Sequence, residues 1–560
     1  MAEMLTAIAI IFIVAGPFLL VANRYDLPAA PLLIVAGLVA GVFIDDDLAL
    51  ELAQFGIALL VFTFGVSIQL SKLETVIEDS EIAAIGQIIV VGSLGVGFGL
   101  LVGVPQEEAI FLGVAAALSS TIVATALLQT EIRTNLIQGR IGHSIQFVQD
   151  LFAVAFILVV SAEVIDLDPI VLQIGYGVLF ILAAGLVNRY LFGVIGTLAD
   201  DSDELMIIGV VVLLVLFMGA AEAVDIPVVV GAFAAGLAVR HDPTEYLGLI
   251  NGLASIKDFF VAIFFVTVGA LVVLPFVHTG IDQSIEKVVL VGGIVLLTVL
   301  IKPAVTTAIL IYRGYEARTA TLTGLSTDQV SEFSIIIAIQ ALLVGMLSQS
   351  VFDAIILASA VTMVTSTVSY RYSEEIYRWF RDRGLISGRH SKIDAMSHVP
   401  VDIEEHVIVL GYGRAGSHLV NALKANDEPY VVIENDPGRH ETIRIECDAY
   451  VFGDAMEPYT WEKAKAADAR IIVSMTGAPV VSRWLLDLGL NANLVLRAGD
   501  EQRAVQLLDE GATYVAVPDL LAGEELIKQL QALFDGELSP EELRSRGLDR
   551  LSGEIPGRTG

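Results

Sequence analysis

Cysteine is almost absent. Cys447 stands alone in 560 residues, which excludes an intramolecular disulfide framework and any multi-cysteine zinc site. Positive charge is scarce as well: 32 Lys+Arg face 64 Asp+Glu, a net charge of −32. A nucleic-acid backbone and an anionic lipid surface are therefore excluded as natural partners. Only 9 of the bases are lysine, and the acid excess belongs to both halves, 28 acids against 15 bases from Val401 onward and 36 against 17 before it. Acid-rich, lysine-poor surfaces suit a cytoplasm at very high salt, where screening shortens to about 3 Å at 1 M, so the composition reads as that of a halophile. Charge of either sign is low at 17%, with 55% apolar residues and a mean hydropathy of +0.74, where a soluble domain carries roughly 25% charge. A purely soluble protein is excluded. The opening Met1-Ala2-Glu3 lacks the basic start of a cleavable signal, and the first apolar run reads as a retained span.

What is present in abundance is long apolar runs, which recur from Met4 to Tyr370 and then stop. The chain reads as a polytopic α-helical membrane domain over residues 1–372, a linker over 373–404, an α/β domain over 405–530 and a flexible tail over 531–560. Counting each run bounded by charge or proline gives about thirteen spans, centred near Ile13, Leu38, Leu60, Val91, Ser119, Asp150, Leu179, Leu213, Phe233, Phe265, Leu297, Glu332 and Ala360. On that path Arg24, Lys72, Arg133, Arg140, Arg189, Arg240, Lys257, Arg313, Arg318 and Arg371 share one side, and only Lys287 falls on the other. The opposite loops, Asp45-Asp46-Asp47 and Glu163-Val164-Ile165-Asp166 among them, are acidic or neutral. The positive-inside rule then places the N-terminus outside and the C-terminal domain in the cytoplasm. Tyr377, Trp379 and Phe380 beside Arg378, Arg381 and Arg383 read as an interfacial helix leading into the linker.

Ionisable groups within a bilayer are costly and mark functional sites. Asp150 lies ten residues beyond Arg140 and thirteen before Glu163, near the bilayer centre at about 1.5 Å per residue. Gln149 adds an amide oxygen. Lys302 is likewise central, and Glu332 lies in the twelfth span with Asp328 just before it. Low dielectric disfavours a bare carboxylate, so Asp150 reads as one site for two competing ligands, a proton or a metal cation. The hydroxyls of Ser119, Ser120 and Thr121 suit a hard cation. A second hydroxyl-rich stretch, Leu325-Ser326-Thr327-Asp328, recurs seven spans later. An odd displacement means an inverted repeat, and inverted repeats with two broken crossing helices at mid-membrane build ion sites in secondary transporters. Thr267-Val268-Gly269 spells part of a potassium-channel filter, but Ala270-Leu271 follows where the filter needs Tyr-Gly.

These stretches also carry a resemblance. Ala117-Leu118-Ser119-Ser120-Thr121, Phe147-Val148-Gln149-Asp150, Gly231-Ala232-Phe233-Ala234-Ala235-Gly236, Phe264-Phe265-Val266-Thr267-Val268-Gly269 and Gln329-Val330-Ser331-Glu332-Phe333 resemble the monovalent cation:proton antiporters, the family of the Kef potassium efflux systems and bacterial sodium/proton exchangers. The resemblance implies that Asp150 binds the ion, that Gln149 marks the single-carboxylate, potassium-type arrangement, and that Lys302 neighbours the site. Ser331 departs from the glycine usual before Glu-Phe.

In the soluble half His406–Leu410, Tyr430–Glu434, Ala449–Phe452, Arg470–Val473, Asn493–Leu496 and Tyr514–Val517 read as strands alternating with helices, a Rossmann-like parallel sheet. Gly411-Tyr412-Gly413-Arg414-Ala415-Gly416 follows the first strand and opens a helix, as the dinucleotide fingerprint requires. Glu434 ends the second strand, where an acid meets ribose hydroxyls. With Val432-Ile433-Glu434-Asn435-Asp436 and Gly453-Asp454-Ala455, this half resembles the regulatory nucleotide-binding domain called RCK or TrkA-N. That resemblance implies a homodimer and a small regulatory nucleotide, NAD(H) or AMP/ATP, held by Gly411, Gly413, Arg414, Gly416, Glu434, Asp436 and Asp454.

The expected protein is a multi-pass cell-membrane antiporter, not an enzyme, exchanging K+ in preference to Na+ for protons one for one and without net charge. Asp150 carries either ligand. Gln149, Ser119, Ser120 and Thr121 offer oxygens, Lys302 holds the empty carboxylate, and Glu332 with Asp328 stabilises the second broken helix. The alternatives are a nucleotide-gated potassium efflux channel on the same scaffold and a membrane-anchored NAD enzyme.

Overall fold

A computed structural model describes residues 2–25, 27–67, 77–133, 136–160, 167–199, 202–240, 247–277, 280–386 and 391–554. Two compact units divide the chain, Met1–Arg389 and His390–Gly560. Lys72, the loop Glu163-Val164-Ile165-Asp166 and the last residues of the tail lie outside the described residues.

Lipid cannot hydrogen-bond the backbone, so spans satisfy it internally as helices. Nine helices among the described residues are long and apolar enough to cross a membrane, while Ala29–Ala40, Val228–Ala238 and Glu332–Leu343 are apolar but shorter. Two of these short helices start alike. Pro28 and Pro227 sit at their N-caps, and each proline is followed nine residues on by Gly-Leu, at Gly37 and Gly236. These glycines are contact points. A Cβ built at Gly37 would lie 2.6 Å from the Gly269 Cα, and one built at Gly236 would lie 2.8 Å from the Gly65 Cα. Helix Ala29–Ala40 thus presses on Leu247–Ala270 just as Val228–Ala238 presses on Asp46–Ser67, one contact made twice by the two repeats. The filter-like Thr267-Val268-Gly269 belongs to this packing: the Thr267 hydroxyl donates to the carbonyls of Ile263 and Phe264 at 2.8 and 2.9 Å. Overpacking of this kind typically costs about 1–3 kcal/mol or more. Gly37→Leu and Gly236→Leu should therefore each lower the melting temperature of detergent-extracted protein by several degrees, while Gly16→Leu, with nothing within 4 Å, should leave it unchanged.

Three bases counted as loop charges sit elsewhere. Lys287 is 3% exposed, donates to the Val273 carbonyl at 3.0 Å and pairs with Asp353, so its presence on the acidic side reflects a buried ion pair. Arg318 lies in helix Ala317–Leu325, buried and paired with Glu374. Lys257 lies well inside helix Leu247–Ala270. After the last span, Ser373–Asp382 forms a helix whose Tyr377 packs on Ala317 and Leu322, while Trp379 is exposed with Arg383 4.0 Å above its ring.

The second unit is a six-stranded, wholly parallel sheet: β1 (His406–Leu410), β2 (Tyr430–Glu434), β3 (Tyr450–Phe452), β4 (Ala469–Ser474), β5 (Asn493–Arg497) and β6 (Tyr514–Ala516), in the order β3-β2-β1-β4-β5-β6. The strand order reverses between β1 and β4, which opens a crevice beyond their carboxyl ends. The tail is more regular than its charge and glycine suggest. Helix Pro518–Phe534 is followed by Pro540–Glu554, begun by a reciprocal cap: the Ser539 N–H donates to Glu542 Oε2 at 2.9 Å and the Glu542 N–H to Ser539 Oγ at 3.2 Å. The stretch expected as a tail is thus helical from Pro540 to Glu554.

Candidate ion-binding site

Two spans are interrupted where hydroxyl side chains compete with the helical ladder. Helix Gln106–Ala117 ends in extended backbone at Leu118 and restarts as Thr121–Leu127, with Ser120 Oγ accepting from the Val123 N–H at 3.2 Å. Helix Ala317–Leu325 stops before Ser326, and Glu332–Leu343 restarts with Ser331 Oγ accepting from the Phe333 N–H at 3.0 Å. Ser331, the residue that departs from glycine, is thus the cap of the second restart. The interruptions are tied together: the Ser119 hydroxyl donates to the Thr327 carbonyl at 3.0 Å and Gln329 Nε2 to the Ser120 carbonyl at 3.2 Å.

Charge follows the helix ends. Lys302 follows the π-helical turn Leu297–Ile301 and is fully buried. Its Nζ donates to the Leu118 carbonyl at 2.8 Å and the Gln329 carbonyl at 2.7 Å, one oxygen from each interruption. At the opposite pole Glu332, 2% exposed, accepts the Ile122 N–H on Oε1 at 3.2 Å, so one carboxylate serves the N-termini of both restarted helices. A cation at the carbonyl ends and an anion at the amide ends is the arrangement that helix dipoles favour.

Asp150 sits behind this crossing in helix Ile137–Val160, 1% exposed. Thr121 Oγ1 donates to its Oδ2 at 2.5 Å. Thr121 and Glu332 in turn line a cavity of about 460 Å³ whose walls also include Phe64, Gln129, His143 and Lys257. Asp150 is not part of that wall, and the Thr121 hydroxyl stands between it and the cavity.

All eight residues expected at the ion site meet at the two interruptions, but they divide the work differently. Gln149 Oε1 accepts the Ser119 N–H at 2.9 Å, so the amide oxygen offered to a cation braces the first interruption instead. The Ser119 hydroxyl is committed to Thr327. Lys302 bonds backbone carbonyls and, among the described residues, makes no ion pair with Asp150, which corrects its expected role as holder of the empty carboxylate. Asp328 accepts from the Ser369 hydroxyl, with Oδ1 buried and unpartnered. The oxygens left for a cation are those of Asp150 and Thr121, with Asp328 Oδ1 and Glu332 Oε2 both buried without a partner. Residue-by-residue reading of ionisable groups passes over the buried amides. Gln87 donates to the Ala117 carbonyl at 3.0 Å and accepts from Thr306 Oγ1 at 2.7 Å, and Gln329 Oε1 accepts from Ser366 Oγ at 3.0 Å. The signal that could find them is an amide inside an uninterrupted apolar run, as in Ile85-Gly86-Gln87-Ile88.

In the second unit the glycine loop has the geometry its spelling requires. Gly411 has φ +95, a conformation that favours glycine, and a Cβ at Gly416 would lie 2.0 Å from the Gly411 carbonyl oxygen. Gly413 caps helix Arg414–Ala425, leaving its first amides for an anion. Glu434 is already busy: Oε2 accepts the Tyr412 N–H at 2.7 Å, and Oε1 accepts Asn435 N–H at 2.8 Å and Asp436 N–H at 3.1 Å. Arg439 lies 3.7 Å from Glu434 and 3.4 Å from Asp436. Glu434 therefore shapes the loop, and a ribose would meet only its remaining lone pair. Asp454 Oδ1 accepts the Met456 N–H at 2.9 Å, bracing the turn after β3.

Comparison with known proteins agrees with both units. The chain is 26% identical over 92% of its length, and 79% of the other's, to a protein of Alkalimonas amylolytica assigned as the K(+) efflux antiporter KefB. It is 27% identical over 93% of its length, and 96% of the other's, to one of Escherichia coli (strain K12) assigned as the cation/proton antiporter YbaL. The structure of the sodium proton antiporter NhaP1 from Methanocaldococcus jannaschii shares the fold at a TM-score of 0.52 and 14% identity, covering 67% of this chain and 98% of that one. These relatives are transporters rather than enzymes. Residues 407–518 match the TrkA-N domain. Residues 8–370 match the family described as sodium/hydrogen exchanger, transmembrane, and the chain is a multi-pass membrane protein belonging to that family.

Proposed function

We propose that this protein is a monovalent cation/proton antiporter, K+ preferred over Na+, whose turnover is set by a nucleotide on its TrkA-N domain. The observation that carries the reading is Asp150, fully buried behind Thr121 at the crossing of two interrupted spans. A carboxylate in that position needs a positive partner, and a proton and an alkali cation compete for it. With Gln149 instead of a second acid beside it, one site exchanges one cation for one proton, and transport moves no net charge. The relatives assigned as K(+) efflux and cation/proton antiporters support potassium as cargo. The positive-inside count over the bases that remain in loops supports an N-terminus outside and a cytoplasmic C-terminal domain.

The glycine loop supports NAD(H) or an adenine nucleotide as regulator. Gly416→Ala forces the helix away from the Gly411 carbonyl, so it should abolish any nucleotide effect on flux while leaving nucleotide-free exchange at the wild-type rate. A homodimer fits helix Pro518–Phe534, which buries no residue and exposes Leu526, Ile527 and Phe534. The acid excess fits a highly saline cytoplasm.

Purified protein in sealed vesicles tests the reading. An imposed pH gradient should drive K+ isotope uptake faster than Na+ uptake, at a rate unchanged by membrane potential and altered by nucleotide. Current without any pH gradient would instead support the nucleotide-gated channel.

A further inference from the structure

Three lysines lie in the described helices of the membrane unit, and two are fully accounted for. Lys287 is paired with Asp353, and Lys302 bonds two carbonyls. Lys257 differs. It is half-buried about 15 Å along helix Leu247–Ala270, and among the described residues it makes no hydrogen bond and no ion pair. It lines the same cavity as Thr121 and Glu332 and acts electrostatically on the Glu332 carboxylate. The two groups belong to different walls. The helix of Lys257 packs on Asp46–Ser67 and Ala29–Ala40, and that of Glu332 on Ile137–Val160 and Gln349–Arg371. An ammonium that makes no hydrogen bond or ion pair among the described residues, on the wall of a cavity that also touches Thr121 and Glu332, acts on whatever charge enters that cavity.

We infer that Lys257 is a specificity-determining residue that excludes divalent cations from the path to Asp150. The physical basis is Coulomb repulsion, which scales with the charge of the approaching ion. Glu332 and Asp150 together would otherwise form a two-carboxylate pair attractive to Mg²⁺ or Ca²⁺. A fixed positive charge in the access cavity lowers monovalent affinity by some factor and divalent affinity by the square of that factor. Monovalent selectivity here is therefore set by a repulsive charge on the cavity wall. Neighbouring Asp258 is exposed and does not line the cavity. This inference rests on the exchanger reading for the identity of the passing ion.

The test uses full-length protein in vesicles, with cation-dependent flux measured from each side of the membrane and Mg²⁺ added as inhibitor. Lys257→Gln should lower the half-saturating K+ concentration about fivefold and the inhibitory Mg²⁺ concentration about 25-fold, from the cavity side only. Lys257→Arg, which keeps the charge, should retain wild-type tolerance of Mg²⁺. The inference is overturned if Lys257→Gln shifts both ions by the same factor, shifts neither, or loses flux together with Lys257→Arg, as a structural role would require. If wild-type protein moves K+ without protons, the exchanger reading fails, and the ratio of monovalent to divalent shifts still decides the role of Lys257.

Discussion

Asp150→Asn should reduce pH-driven K+ flux at least about 100-fold, with no loss of folded protein. Asn has the shape of Asp but can neither release a proton nor carry the charge that holds an alkali cation. The fold is spared because the hydrogen bond to the carboxylate is a hydroxyl donating to Oδ2, and the Asn amide oxygen accepts it equally well. Thr121→Val supplies the graded comparison. It removes the hydroxyl between Asp150 and the cavity, so exchange should persist but slow about 30-fold, within the range expected for losing a hydrogen bond to a charged group. Flux assays on monodisperse protein check both, and wild-type rates for Asp150→Asn would remove Asp150 from the transport cycle.

Lys302→Met should have the largest effect on stability. It strands the carbonyls of Leu118 and Gln329 at a fully buried position. Two charge-assisted bonds at about 1.5–3 kcal/mol each correspond to a loss of about 10 °C in melting temperature. A double-mutant cycle separates this role from that of a counter-ion to Asp150. If Lys302 served the carboxylate, removing both charges would recover much of the loss; if it serves the two interruptions, Asp150→Asn with Lys302→Met stays as unstable as Lys302→Met alone. The structure requires the second outcome.

How far this site could be read in advance depends on the range of its interactions. The interruptions at Ser119-Ser120 and Ser326-Thr327-Asp328 were legible because hydroxyl clusters inside apolar runs compete with the helix locally. Gly411, Gly413 and Gly416 were legible because a strand immediately precedes them and a helix follows. The partners of Lys302 were not, since Leu118 and Lys302 are brought together only by the crossing of two repeats. The same holds for Glu332, which opens its own helix and also reaches Ile122 of the other repeat. Gln149 looked like a cation ligand because its oxygen is otherwise uncommitted; the extended backbone at Leu118 turns the Ser119 N–H out of the ladder and onto that oxygen. Lys257 and Arg318 were counted as loop bases, since hydropathy resolves a span but not which turn of it faces a cavity. The helix after Ser539 was hidden by composition, although Ser539-Pro540-Glu541-Glu542 carries both capping partners and a proline at the first helical position.

The central claim, that Asp150 holds either a proton or a cation and never both, is tested most directly by proton release on cation binding. Detergent-solubilised protein, protonated in weak buffer without alkali cations, is mixed with K+ while a pH indicator counts protons. The account predicts one proton released per chain for each K+ bound, and none from Asp150→Asn. Saturable K+ binding to the wild type with no proton released, or unchanged release from Asp150→Asn, would contradict it.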